Sequence, residues 1–152
     1  MKLSARALSN YSLFGGISEE SINFLLQYMG LINFKAGEKI FAEGDPGSEI
    51  CFIMQGKVRV EKSGIALAEL GEGEQFGEMY VIDIMPRSAD VIGVENGALI
   101  KISHRNLHRL SQHDGEAFTL LLLNCSREIS RRLRRMNDLY IQHTIRATNS
   151  TE

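Results

Sequence analysis

FGEMYVIDIMPRSA, residues 76–89, is the stretch on which the reading of this chain turns. Gly77 and Glu78 open it, Met79 and Tyr80 lead into a short apolar run, and Pro86, Arg87, Ser88 and Ala89 close it, so a carboxylate and a guanidinium bracket the run. Backbone N–H groups that follow a glycine can form a concavity that holds an anion. A guanidinium offers two parallel donors to two oxygens of one phosphate, and a carboxylate supplies the acceptor that a sugar hydroxyl needs. Together these residue types suit a sugar phosphate.

At Phe76, Gly77, Glu78, Pro86, Arg87 and Ala89 the sequence resembles the phosphate-binding cassette of the cyclic nucleotide-binding domain family. The resemblance implies that Glu78 and the Gly77 backbone hold the ribose 2′-hydroxyl and that Arg87 clamps the cyclic phosphate. It implies a first backbone contact from the turn at Met79 and Tyr80, and a small or hydroxylated neighbour of the phosphate at Ser88. Tyr80 stands where members usually carry a small residue, and Ile84 where they often carry glycine. The resemblance also implies a 3′,5′-cyclic mononucleotide as ligand, with cyclic AMP favoured over cyclic GMP because Ser88 rather than threonine follows Arg87. The other reading of these residues is an internal Glu78–Arg87 ion pair in a domain that serves as a structural adaptor and binds no nucleotide.

Outward from this stretch, residues 31–103 consist of short apolar segments separated by glycines, the texture of an all-β sandwich or barrel. Val58 to Glu61 alternates as a half-buried strand does, and Asp45-Pro46-Gly47 has turn chemistry. The fold class expected is mainly β with flanking helices: a jelly-roll-like barrel, or double-stranded β-helix, with an N-terminal helix and a long C-terminal helix. Before the barrel, residues 1–30 give a short arm, a break at Gly15-Gly16, and an amphipathic helix capped by Ser18 and ending at Gly30. After it, Ser103 caps a helix to about Gln112, and Asp114 caps a longer one to about Gln142. Residues 1–142 thus form the domain, and 143–152 a polar tail expected to be disordered.

Phe118, Leu122, Cys125, Ile129, Leu133, Met136 and Tyr140 recur every three or four residues, an apolar stripe about six turns long. Three uses are weighed for it, the seam of a homodimer, a lid over the nucleotide base, or packing on its own barrel, and a homodimer seamed on Phe118, Leu122, Cys125, Ile129, Leu133 and Met136 is the one expected. By resemblance, Met136 and Asn137 are the positions nearest those that touch the base. Arg127, Arg131, Arg132, Arg134 and Arg135 make the same helix basic, which is read as a solvated face.

The 152 residues fit one domain, and 43% hydrophobic with 24% charged residues is ordinary globular usage. No apolar run approaches the roughly 20 residues that span a bilayer, and no secretory leader opens the chain, so a cytoplasmic protein without membrane contact is expected. A net charge of −2 gives no general attraction to nucleic acid. Residues beyond Gln142 are too few for a helix-turn-helix, so DNA is not an expected partner. Cys51 and Cys125 lie in apolar runs and are expected as buried thiols; His104 and His108 share a helix face without a third ligand, so no metal is expected. Glu78 has neither a nucleophile nor a second catalytic carboxylate beside it, which argues for recognition rather than turnover. The expectation is a non-enzymatic sensor that signals to an unidentified downstream partner through its C-terminal helix.

Overall fold

The structure is a computed structural model that describes residues 3–150, apart from the side chains of Tyr80 and Val81. α1 (Ala5–Leu8), a 3-10 turn at Ser12–Phe14 and α2 (Glu19–Leu26) precede the strands. The strands are β1 (Leu31–Phe34), β2 (Lys39–Phe41), β3 (Glu49–Gln55), β4 (Val58–Lys62), β5 (Ile65–Leu70) and β6 (Gln75–Phe76), followed by α3 (Glu78–Asp83), β7 (Asp90–Gly93) and β8 (Gly97–Ser103). α4 (His104–His113) and α5 (Gly115–Asn149) complete the fold. The strands form two four-stranded antiparallel sheets, ordered β1-β8-β3-β6 and β2-β7-β4-β5. This is the jelly-roll architecture expected from the glycine-punctuated segments.

β3 reads EICFIMQ with no internal polar residue because it is buried on both faces. Its Cys51 and Ile53 join Phe34, Phe41, Val58, Phe76 and Leu99 in the core between the sheets. Its Ile50, Phe52 and Met54 point the other way, into a second core formed with Phe14, Ile22, Leu25, Leu107, Leu110, Leu121 and Cys125. Period-two alternation along one strand thus joins the barrel to its helices. Both thiols are free and buried, and burial pushes each up to about 12, so they stay protonated at neutral pH.

Three helix starts follow from local chemistry. The side chains of Ser18, Ser103 and Asp114 accept from the N–H groups of Ser21, Asn106 and Ala117 at 3.2, 3.1 and 3.0 Å. Each satisfies a donor that has no partner within its helix. Helix ends follow it less well. α2 stops at Leu26 rather than Gly30, and Gly30 does not adopt the left-handed conformation of a glycine cap. The Tyr28 N–H tightens onto the Leu25 carbonyl at 3.0 Å, and Asn106 of α4 donates to the Tyr28 carbonyl at 3.4 Å. A neighbouring helix therefore terminates α2.

At the other end, α5 continues through the expected tail to Asn149. No glycine or proline follows Gly115 to break it. Once nucleated, a helix gains a hydrogen bond for each residue it fixes, and the hydroxyls of Thr144 and Thr148 donate to carbonyls one turn back at 2.9 and 3.0 Å. The face that packs overlaps the stripe only in the first turns, where Phe118 and Cys125 meet the helical core. Ala117, Leu121, Asn124 and Cys125 are the buried residues, and Asn124 donates to the Leu13 and Gly15 carbonyls, each at 3.0 Å. At about 100° per residue, Leu122, Ile129 and Leu133 lie roughly a quarter-turn round from Leu121. Cys125, counted in the stripe, belongs to the protein's own core. From Leu133 to Asn149 every residue is exposed.

Candidate functional site

Arg87 is held from three sides. Its N–H donates to the Asp45 carbonyl at 2.9 Å, and its carbonyl accepts from Gly44 N–H at 2.8 Å, so the β2–β3 loop pins the backbone. Its guanidinium donates to the carbonyls of Gly77 and Glu49 at 2.9 and 3.1 Å and lies 3.6 Å from the Glu49 carboxylate. The Phe41 ring covers it, centroid to Cζ 3.7 Å, a cation–π contact. The side chain is buried, yet Nε has no hydrogen-bond partner among the described residues.

Two glycines make room for this arrangement. A Cβ on Gly47 would come within 2.1 Å of Arg87 Nε, so the turn residue is the only type that admits the guanidinium. Gly77 combines φ of 82° with a Cβ position 2.6 Å from Arg87 Nη1 and 2.8 Å from the Glu49 carbonyl.

Glu78 opens α3 and is only 4% exposed. Its Oε1 accepts from Arg132 Nη1 of α5 at 3.1 Å, whereas Oε2, also buried, has no partner among the described residues. Arg132 also donates to the Gln75 carbonyl and, through Nε at 3.3 Å, to Glu128 one turn back in α5. Burial raises the Glu78 carboxyl above its ordinary value, and the Arg132 guanidinium draws it part of the way down. Glu78 pairs with Arg132 and Arg87 with Glu49, so the direct Glu78–Arg87 ion pair considered from sequence does not form.

Phe76, Gly77, Glu78, Met79, Pro86, Arg87, Ser88 and Ala89 line one cleft of about 110 Å³ with Phe41, Val60, Val91 and Arg132. The Ser88 hydroxyl approaches Met79 Sδ at 3.8 Å. α3 ends in a left-handed Ile84, φ 58°, strained for a β-branched residue, with the Asp83 carboxylate accepting from Met85 N–H at 3.2 Å. The Tyr80 side chain lies outside the described residues. Met136 and Asn137 are not part of the cleft: both are exposed on α5 beyond Arg132.

Phe41, Glu49, Gly47 and Arg132 were not legible as site residues. Arg132 sat inside a run of arginines read as solvated, although its spacing from Glu128 marks a helical ion pair. Among the described residues, no group of three or more His, Cys, Asp or Glu side chains is placed to hold a metal ion, and no helix is long and apolar enough to cross a membrane.

Two residues that line the cleft therefore each carry an unmet buried atom, the donor Arg87 Nε and the acceptor Glu78 Oε2. Such atoms are costly to bury unless something completes them. A phosphate oxygen would satisfy the first and a ribose hydroxyl the second.

Comparison with known proteins agrees with this chemistry. Residues 31–114, more than half of the chain, match the family described as Cyclic nucleotide-binding domain. The chain is 32% identical over 127 residues to the cyclic AMP receptor protein of Thermus thermophilus, covering 80% of this chain and 57% of that protein. It is 31% identical over 90 residues to the cAMP-dependent protein kinase regulatory subunit of Yarrowia lipolytica, covering 59% of this chain and 24% of that one. The chain thus spans little more than half, or less, of these relatives. Among solved structures, a cyclic nucleotide-binding domain from Methylobacillus flagellatus superposes with a TM-score of 0.82 at 27% identity, covering 91% of this chain and 81% of that one. The catabolite activator protein of Thermus thermophilus gives 0.71 at 31% identity, covering 88% and 62%. On the match of its barrel and cassette, this chain belongs to the cyclic nucleotide-binding domain family.

Proposed function

We propose that the chain is a non-enzymatic sensor module that captures a 3′,5′-cyclic mononucleotide, cyclic AMP by preference, and signals through α5. The observation that carries this reading is the pair of unmet buried atoms, Arg87 Nε and Glu78 Oε2, on one cleft. In the proposed complex Arg87 clamps the cyclic phosphate, and Glu78, held by Arg132 through its other oxygen, accepts the ribose 2′-hydroxyl. The Gly77 region supplies backbone donors at the start of α3. Because Arg132 belongs to α5, occupancy of the ribose site bears directly on the helix, and a ligand shifts the helix only by its differential affinity for two positions.

The exposed half of α5 supports a homodimer as the working form. Residues 133–149 project about 25 Å at 1.5 Å per residue. Leu133, Met136 and Tyr140 are 57, 52 and 74% exposed on one face. A second copy of α5, seamed on Ile129, Leu133, Met136 and Tyr140, would cover it. The downstream partner is a protein that reads this helix.

The test is a thermal-shift series with cyclic AMP, cyclic GMP and their non-cyclic monophosphates. A ligand at about 100 times its dissociation constant stabilises by roughly 2.7 kcal/mol. A shift with cyclic AMP larger than with cyclic GMP, and none with AMP, is expected. No shift with any of them overturns the reading in favour of an adaptor that binds no nucleotide.

A further inference from the structure

On the far side of Gln75 from the cassette, a cleft of about 510 Å³ opens between the β5–β6 turn and α5, within the size range of small-molecule sites. Its helix wall carries Arg131, Arg134 and Arg135. Glu128 is the carboxylate that Arg131 and Arg135 face, and it is shared: it lies 3.4 Å from Arg131 and 3.3 Å from Arg135 while also holding Arg132 at 3.3 Å. Arg134 has no ion pair among the described residues. On the barrel wall the other carboxylate, Glu74, is turned to the Gly71 N–H at 2.9 Å. Gln75 lines the same cleft, is 1% exposed, and its buried amide nitrogen has no hydrogen-bond partner among the described residues. Donors therefore outnumber acceptors, and the contacts to Glu128 are long enough to be exchanged for better ones.

We propose that this cleft is a second ligand site, separate from the cassette, for a small anion with two linked phosphate groups, of the pyrophosphate or nucleoside-diphosphate class. Guanidinium forks match the oxygens of a phosphate. Arg131 and Arg135 leave the helix one turn apart and converge on Glu128, and with the Arg134 fork they present more N–H donors than the oxygens of one phosphate can accept, which suits two linked phosphates. Arg134 adds a third, unpaired charge. Glu74 on the barrel wall would repel a continuous polyanion, which favours a compact anion over a nucleic-acid backbone. The two clefts share Glu128 through Arg132, so the deciding measurement is made without cyclic nucleotide.

The experiment is calorimetric titration of inorganic pyrophosphate into the full chain, with sulfate at matched ionic strength as control. Saturable one-to-one binding is expected. It should weaken at least tenfold in the double variant Arg131→Ala, Arg134→Ala, and persist in Arg87→Ala. Replacing the same two arginines by Gln instead tests the charge with the side-chain stems kept. No saturable heat, equal binding of sulfate, or binding lost in Arg87→Ala but kept in the double variant would overturn the proposal. None of these outcomes depends on whether the cassette binds a cyclic nucleotide.

Discussion

Arg132 Nη1 stands 3.1 Å from Glu78 Oε1, joining the long C-terminal helix to the first residue of the cassette helix across 54 positions of sequence. The pair is nearly dry, with side-chain exposures of 20 and 6%. It leaves Glu78 Oε2 unmet, so Arg132 orients the carboxylate without consuming it.

Removing that orientation should therefore weaken nucleotide capture even though Arg132 is absent from the cassette motif. Arg132→Ala is expected to lower cyclic AMP affinity by about 1.5–3 kcal/mol, the value of a hydrogen bond to a charged group. Isothermal titration reads it, and an affinity equal to the parent's would show that the pair is only structural.

Arg87→Ala should cost roughly 2–5 kcal/mol of binding by leaving the phosphate without its partner in a buried site, about thirtyfold or more. Gly47→Ala offers a gentler version of the same test. Its Cβ would sit 2.3 Å from Arg87 Cζ, so the guanidinium must leave its seat on Phe41. Binding should fall while the circular dichroism spectrum stays that of the parent; unchanged affinity in Gly47→Ala would remove Arg87 from the site.

Glu78 gives the protein a pH signature. Its folded carboxyl is raised by burial, so as pH rises the unfolded chain surrenders this proton first. Above the ordinary glutamate value of about 4.3 the folded state binds more protons than the unfolded one, and stability falls with pH until the folded value is passed. Glu78→Gln has no such proton. Urea midpoints measured across this window should decline in the parent relative to the variant and then run parallel. Curves parallel throughout would contradict a raised Glu78.

For the helix, Leu133→Glu is the informative change, since Leu133 is exposed and its loss leaves the monomer core intact. The parent should sediment as a dimer at tens of micromolar and the variant as a monomer, because a carboxylate would face its copy in a dry seam. Added salt should strengthen the parent dimer by screening the arginines beside the seam. A monomeric parent, with and without nucleotide, would rule the dimer out.

What the sequence by itself determined is local or periodic in character. The caps at Ser18, Ser103 and Asp114 need only a side chain and an N–H three residues on, and they form as read. Two-sided burial of β3 shows as an unbroken apolar run, and the cassette motif brings Gly77, Glu78 and Arg87 to one cleft because a single turn and helix carry them. Partners chosen across long stretches were left to tertiary structure. Glu49 and Phe41 reach Arg87, and Arg132 reaches Glu78, only because the sheets and α5 pack where they do. Periodicity located an apolar stripe on α5, but packing buried Ala117 and Leu121 beside it together with Cys125 of the stripe, and left Leu133, Met136 and Tyr140 exposed. Spacing records which residues share a face; which face is dry is decided by close packing against the rest of the chain.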